Sequence, residues 1–460
     1  MKKSHGGVFY KSKIYMLIVL CMSLGMTGCS VHEVMEQSGD ELFEQMEKEI
    51  VWETRTLSLE EIESKDVSGQ VSSNDGVCSN DVTDYVCSVS MGDCLLYKGG
   101  TAFAKKKLTE SEQIWYQDME QILGNMQEKV KLSETGLKAG LDETDVDRIF
   151  QCVLDDHPEL FYVEGYSYTK YTRGNRTVAI EFTGTYNQDK DTIYERKQEI
   201  ETAVTEVLEG AGQLEEDYEK IKYVYEFLIK NTDYNLKAED NQNIYSVFVN
   251  RSSVCQGYAK AFQYLMHRLN VECALVQGNV IRTGEGHAWN LVKSAGAYYY
   301  VDATWGDISY ESNSELDYDK EDVQSVSDNG RADEKKLPGV SYDYLCITTE
   351  QLNKTHQPSE PELLPECKAQ RDNYYIREGA FFADYNEEQL TKLVDRKLAE
   401  GSNVISLRCK NESCYKEMYE ALIDRQEMFT YLAGSGIQSF VYSSNDSQFT
   451  LTFFMMTSEE

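Results

Sequence analysis

The sequence predicts an α+β protein in which one helix and one β-hairpin bring a cysteine, a histidine and an aspartate together. Three observations predict it. A helix signal opens at Cys255, an alternating apolar run opens at His287, and a returning run, Ala297 to Val301, ends at Asp302. Segments with their own helix and strand signals flank this centre on both sides.

The chain has 460 residues, enough for about three domains. Hydrophobic residues make up 41%, including 32 tyrosines and 16 phenylalanines, so sizeable cores can be buried. The formal charge is −34. A surface this acidic repels nucleic acid and anionic lipid headgroups, so no nucleic-acid partner is expected.

The first element, residues 1–29, reads as a leader. Lys2, Lys3, Lys11 and Lys13 precede the apolar run Ile14 to Met22, which is short for a membrane span and suits a signal peptide. Met26-Thr27-Gly28-Cys29 then resembles a bacterial lipobox, with Met26 where leucine is more usual. The resemblance implies lipidation at Cys29, which would become the mature N-terminus on the extracellular face of a bacterial cell membrane. An ordinary signal peptide with an incidental cysteine is the alternative. Loss of the four leader lysines takes the charge from −34 to −38.

Residues 30–94 are rich in Ser, Asp, Glu and Val and read as a flexible acidic tether. Residues 95–205 read as a small α+β domain. Thr109 and Glu112 form a capping-box pair, and Trp115, Met119, Ile122 and Met126 follow at helical spacing. A second helix carries Val146, Ile149, Phe150 and Val153 and stops before Pro158. Phe161-Tyr162-Val163 and Val178 to Phe182 read as strands, and Cys152 and His157 as structural or solvated residues.

Residues 206–368 are expected to form the domain that carries the chemistry. Ile221, Val224, Tyr225 and Leu228 share one helix face, and an acidic insertion, 311–337, reads as a solvated loop. Residues 369–460 read as an α/β accessory domain. Its helices are marked by Leu390, Leu393, Val394 and Leu398, and by Tyr415, Met418, Tyr419 and Leu422; its strands are Val404 to Leu407, Ile437 to Tyr442 and Phe449 to Phe454. Ten cysteines remain of twelve once Cys21 and Cys29 are set aside. None forms a CxxC pair, so no metal site is expected. Outside the cytoplasm disulfides are permitted, and Cys346 with Cys367 is the first candidate pair.

The chemistry centres on Ser253-Val254-Cys255-Gln256-Gly257-Tyr258. Ser253 and Gln256 stand at capping-box spacing, which puts Cys255 in the first turn of a helix. Tyr258, Phe262, Leu265 and Leu269 make a buried stripe, opposed by Gln256, Lys260, Gln263 and His267 as a polar one. The positive end of the helix favours an anion at Cys255, its open N–H groups suit an oxyanion, and Gly257 leaves room for substrate. If Ser294-Ala295 is a two-residue turn, His287 lies opposite Asp302 and Trp289 opposite Tyr300, with side chains about 5 Å apart. Asp302 would then fix the tautomer of His287.

Three blocks, Val254-Cys255-Gln256-Gly257-Tyr258-Ala259, His287-Ala288-Trp289-Asn290 and Val301-Asp302-Ala303-Thr304-Trp305, resemble the core of the transglutaminase-like superfamily over roughly 210–310. The resemblance implies a papain-like α+β fold with the cysteine on a helix and the histidine and aspartate on adjacent antiparallel strands. It implies Cys255 as nucleophile, His287 as general acid/base and Asp302 as orienting carboxylate, with no cofactor. The family's second oxyanion donor has no clear match; Gln256, Trp289, Tyr234 and Tyr245 are the candidates for that donor or for substrate contact. Trp289, Tyr234 and Tyr245 are read as packing residues ahead of those roles, His267 as solvated, Cys273 as core and His356 as structural.

The expected function is thiol acyl transfer on peptide or glutamine amides of the cell envelope or exterior, hydrolytic rather than crosslinking, with protein or peptide partners. The alternative is a binding or scaffold lipoprotein that keeps the fold without turnover.

Overall fold

A computed structural model describes residues 55–58, 96, 100–173, 176–307, 324–326 and 339–456. The leader with Cys29, most of the tether and most of the 311–337 insertion lie outside the described residues. The chain divides into two compact units, Met1–Glu199 and Ile200–Glu460.

In the first unit, helices α1 (Glu110–Gly124) and α2 (Glu143–Asp156) accompany a four-stranded sheet. Its strands are β1 (Arg55–Ser58), β2 (Val130–Lys131), β3 (Val163–Arg173) and β4 (Arg176–Tyr186), in the order β1-β3-β4-β2. The Thr109–Glu112 capping box forms, with Thr109 N donating to Glu112 Oε2 at 2.7 Å. Trp115, Met119 and Ile122 are buried on one face of α1. Met126 falls beyond the helix end, with φ of 52°. The second helix stops at Asp156 before Pro158 as predicted, whereas Phe161 and Tyr162 precede β3 as turn residues. His157 is no solvated residue: Glu120 at 3.2 Å and Glu159 at 3.0 Å flank it, while Cys152 is half-buried.

Helix α3 (Lys190–Gly212) spans the division. The second unit continues with α4 (Asp217–Asn231), β5 (Asp233–Tyr234), α5 (Ile244–Phe248), β6 (Ser252–Ser253) and α6 (Cys255–Arg268). Strands β7 (Cys273–Val280), β8 (Gly286–Ser294) and β9 (Ala297–Val301) follow, then β10 (Gln324–Val326), β11 (Leu345–Ile347) and β12 (His356–Pro358). The central sheet is antiparallel, in the order β11-β9-β8-β7-β12.

Helix α6 is not amphipathic in use. It packs among α4, α5, β7 and β8, so Gln256, Gln263 and His267 are buried with the apolar stripe. The expectation of a solvated His267 fails because its Nε2 meets Cys273 O at 2.9 Å. Cys273 itself is core, as read from the sequence.

The chain then forms β13 (Phe381–Phe382), α7 (Glu387–Ala399), β14 (Val404–Cys409), α8 (Glu412–Tyr419), β15 (Ser439–Asn445) and β16 (Thr450–Met456). These strands make a second sheet, β10-β15-β16-β14-β13. Part of the acidic insertion is therefore not loop, since β10 pairs along β15. The two sheets of this unit are joined through the buried carboxylate of Asp343, which accepts from Tyr375 Oη (2.5 Å), Asn445 Nδ2 (3.0 Å) and Thr450 Oγ1 (2.7 Å). Among the described residues no helix is long and apolar enough to cross a membrane.

Candidate active site

Cys255 is the first residue of α6. The helix is entered from Val254 with no side-chain cap, so the expected Ser253–Gln256 box does not form. Pairing of β6 with β5 holds Ser253 extended and one residue too early to cap. Its Oγ lies instead 2.7 Å from both Asn241 O and Ser246 Oγ. A Cβ at Gly257 would sit 2.0 Å from that same Oγ. Gly257 therefore lets the Asn241–Ser253 segment pack against the helix; it does not open space for substrate. The N–H groups of the first helical turn have no acceptors within the helix, which leaves this end suited to an oxyanion.

The hairpin carries the other two residues in a register two residues from the expected one. Asn290 pairs with Val301, Leu291 with Tyr300 and Ser294 with Ala297. The turn is Ala295-Gly296, both at positive φ (46° and 85°), the conformation that a two-residue hairpin favours and that glycine eases. A slip of two preserves which face each side chain points to. His287 and Asp302 thus still meet, across a diagonal, with Nε2 2.7 Å from Oδ2. Cys255 acts on the same imidazole, its side chain favouring the charged form of His287. Since Nε2 is taken by Asp302, Nδ1 is the nitrogen left for the thiol.

Asp302 is a fully engaged carboxylate. Oδ1 accepts from the backbone N–H of Thr304 (2.9 Å) and Trp305 (3.1 Å). Oδ2 receives, besides His287, a second imidazole: His356 Nε2 at 3.1 Å. His356 opens the edge strand β12, where it pairs with Val280 of β7. Its Nδ1 lies 2.8 Å from Thr355 Oγ1, and that hydroxyl lies 3.2 Å from Tyr344 Oη. The rings of Trp289, Trp305 and Tyr344 surround it, with centroids at 5.0, 4.5 and 5.3 Å. Exposure is 8% for Cys255, 4% for His287, 1% for Asp302 and 0% for His356.

The charges follow from this arrangement. Burial works against a charged His287, but the Asp302 carboxylate and its hydrogen bond, with Cys255 adding to them, lift the pKa from 6.5 to about 10. Burial likewise works against a charged Asp302, and His287 followed by His356 holds it well below the usual carboxylate range. His356 goes the other way. Burial lowers its pKa, the bond to Asp302 falls short of offsetting this, and the charge on His287 adds to the lowering. At neutral pH the site is an imidazolium–carboxylate pair beside a neutral imidazole. A neutral His356 that donates from Nε2 must accept at Nδ1, which the Thr355 hydroxyl permits.

His287, Asp302 and His356 also form a cluster of three potential metal ligands, their atoms within 4.8 Å of one another. Each of these atoms is already engaged in the hydrogen bonds above, so a metal would have to displace both imidazole N–H protons. The other sequence candidates are placed less decisively. Gln256 is buried in the first turn of α6, with Oε1 lacking a hydrogen-bond partner. Trp289 is buried and stacked on His287 at 5.9 Å. Half-buried Tyr234 pairs with Ser253 through β5, its ring 6.4 Å from Tyr258, and half-buried Tyr245 is the second residue of α5. Cys346 and Cys367 are free thiols, so the expected disulfide is not formed; Cys367 Sγ points to Pro365 O at 3.7 Å. His356 is the site residue that sequence reading assigned only to structure.

Fold and side chains together define a thiol–imidazole–carboxylate site at the junction of a helix and an antiparallel sheet. Residues 201–303, which contain all three side chains, match the model of the transglutaminase-like superfamily. Over 125 residues it is 26% identical to the kyphoscoliosis peptidases of Mus musculus and Homo sapiens. That stretch is 24% of this chain and only 18% of either relative. Among solved structures it resembles a TGase (14% identity, 38% of this chain and 56% of that one, TM-score 0.23). It also resembles the periplasmic domain of TgpA from Pseudomonas aeruginosa (16% identity, 28% and 55%, TM-score 0.19).

Proposed function

We propose that this chain is a thiol acyl-transfer enzyme acting on peptide or glutamine amides, hydrolytic rather than crosslinking. The observation that carries the reading is the position of His287, which hydrogen-bonds Asp302 and whose charged form Cys255 favours. In the first step the Cys255 sulfur, as the thiolate whose proton sits on His287, bonds to the substrate carbonyl carbon and the C–N bond breaks. His287 gives its Nδ1 proton to the departing amine. The resulting thioester is then opened by water, whose proton returns to His287 while the carboxylic acid leaves. Helix-end N–H groups at Cys255 would hold the oxyanion in both steps. An amine in place of water would give transamidation.

The same reading sets the enzyme on the extracellular face of a bacterial cell membrane, held by a lipid at Cys29. The lysine-bearing leader and the Met26–Cys29 run support it. Its substrates would be proteins or peptides of the envelope or exterior. The test is to offer the full mature chain a glutamine peptide with and without a primary amine and to weigh the products. Hydrolysed peptide in both mixtures supports the proposal. Amine-coupled product alone would replace hydrolysis by crosslinking. Neither product, with no adduct on Cys255, would leave a non-catalytic scaffold.

A further inference from the structure

We infer that His356 is a positioning residue of this site, a fourth side chain that fixes the Asp302 carboxylate so that Asp302 can fix His287 toward Cys255. The inference rests on the reading of Cys255, His287 and Asp302 as an acyl-transfer site.

Two imidazole N–H groups converge on one carboxylate oxygen: His287 at 2.7 Å and His356 at 3.1 Å, both to Asp302 Oδ2. The backbone of Thr304 and Trp305 holds only the other oxygen. Turning the carboxylate about its bond to Cβ strains the two bonds at Oδ1, but at Oδ2 the group is otherwise restrained only by His287, the ring it must orient. His356 restrains Oδ2 from a second direction. A histidine serving packing alone needs any acceptor for its N–H. This one uses the atom that the reacting histidine already uses, where His356 and Asp302 are 0% and 1% exposed. Its own ring is held in turn. Thr355 Oγ1 fixes the tautomer from Nδ1, Tyr344 Oη braces Thr355, and Trp289 and Trp305 pack against the ring edge-on and tilted. Such supporting groups matter because a displacement of about 1 Å at a reacting centre can cost on the order of a hundredfold in rate.

The test follows the rate of Cys255 alkylation by iodoacetamide across pH, in the full mature chain, with the labelled peptide identified by mass. The variants are His356→Leu, His356→Gln and Thr355→Val, with thermal melting to check folding. His356→Leu should slow Cys255 alkylation at neutral pH by roughly ten- to a hundredfold and shift the profile. His356→Gln, which keeps a donor near the Nε2 position, should restore most of the rate. Thr355→Val, which loses only the tautomer-fixing hydroxyl, should fall between wild type and His356→Leu. A folded His356→Leu with the wild-type rate and profile overturns the inference. Should His356→Leu fail to fold, Thr355→Val decides, and a wild-type profile there overturns it. His287→Ala separates the two levels. If it too alkylates like wild type, the acyl-transfer reading fails; if it is slow while His356→Leu is not, only the role of His356 fails.

Discussion

Asn290 Nδ2 donates to Ala259 O at 2.9 Å, tying the strand that carries His287 to the helix that begins with Cys255. The same amide reaches Ala274 O of β7 at 3.4 Å, so one buried side chain holds helix and sheet in place. Asn290→Ala should therefore destabilise the fold by about 1–3 kcal/mol, from the lost hydrogen bonds and the space left behind. In urea the midpoint should fall with the slope unchanged. Alkylation of Cys255 should slow as well, because the distance to His287 is no longer enforced. Unchanged stability would mean that the bond is incidental.

The His287–Asp302 pair predicts a pH dependence of stability with a definite sign. His287 has a folded pKa of about 10, above its ordinary 6.5. Its contribution is complete below about pH 6.5 and is lost as pH rises through about 10. Asp302 is depressed, so its contribution is present above the ordinary 3.8 and is lost as pH falls below that value. Asp302→Asn removes the anion that keeps His287 charged. Plotted as wild type minus Asp302→Asn, melting temperature should decline across the alkaline window. A flat difference would show that the pair is not coupled to folding.

Gly257 gives a steric prediction. Gly257→Ala places a methyl 2.0 Å from Ser253 Oγ and 3.1 Å from Asn241 O. Overpacking of this kind costs about 1–3 kcal/mol, against a gain in helix propensity of about 1 kcal/mol. A net loss of stability is expected, and Ser253→Ala in the same chain should recover part of it. A stabilised Gly257→Ala would show that the helix end gives way freely.

Cys346 and Cys367 predict a chemical result. Both should be alkylated when the unreduced protein is unfolded in denaturant. Peptide mapping that finds them joined would contradict the free thiols.

What the sequence made legible was mainly local. The helix at Cys255 and the hairpin after His287 were readable from period and turn residues. The hairpin argument survived a wrong turn assignment because its error was an even number of residues, which leaves His287 and Asp302 on one face. The helix surface was misread: Gln256, Gln263 and His267 look like a solvent face, but α4, α5, β7 and β8 pack around α6 and bury all three. His356 was missed for the same reason. It lies 54 residues beyond Asp302 and reaches it only because β12 returns to the edge of the sheet beside β7. No spacing rule within the chain encodes that return. Cys29, on which the proposed membrane anchor depends, falls outside the described residues.

The measurement closest to the central claim is acid-quenched trapping of the acyl-enzyme, with a glutamine-peptide substrate and peptide mapping of the adduct. The half-buried Cys152 is an internal control, since it is more open than Cys255 and lacks the His287–Asp302 pair. The prediction is a substrate-derived acyl group on Cys255 alone, lost in Cys255→Ala and greatly reduced in His287→Ala. An adduct on Cys152 at equal yield, or Cys255 left unmodified while other thiols react, would contradict it.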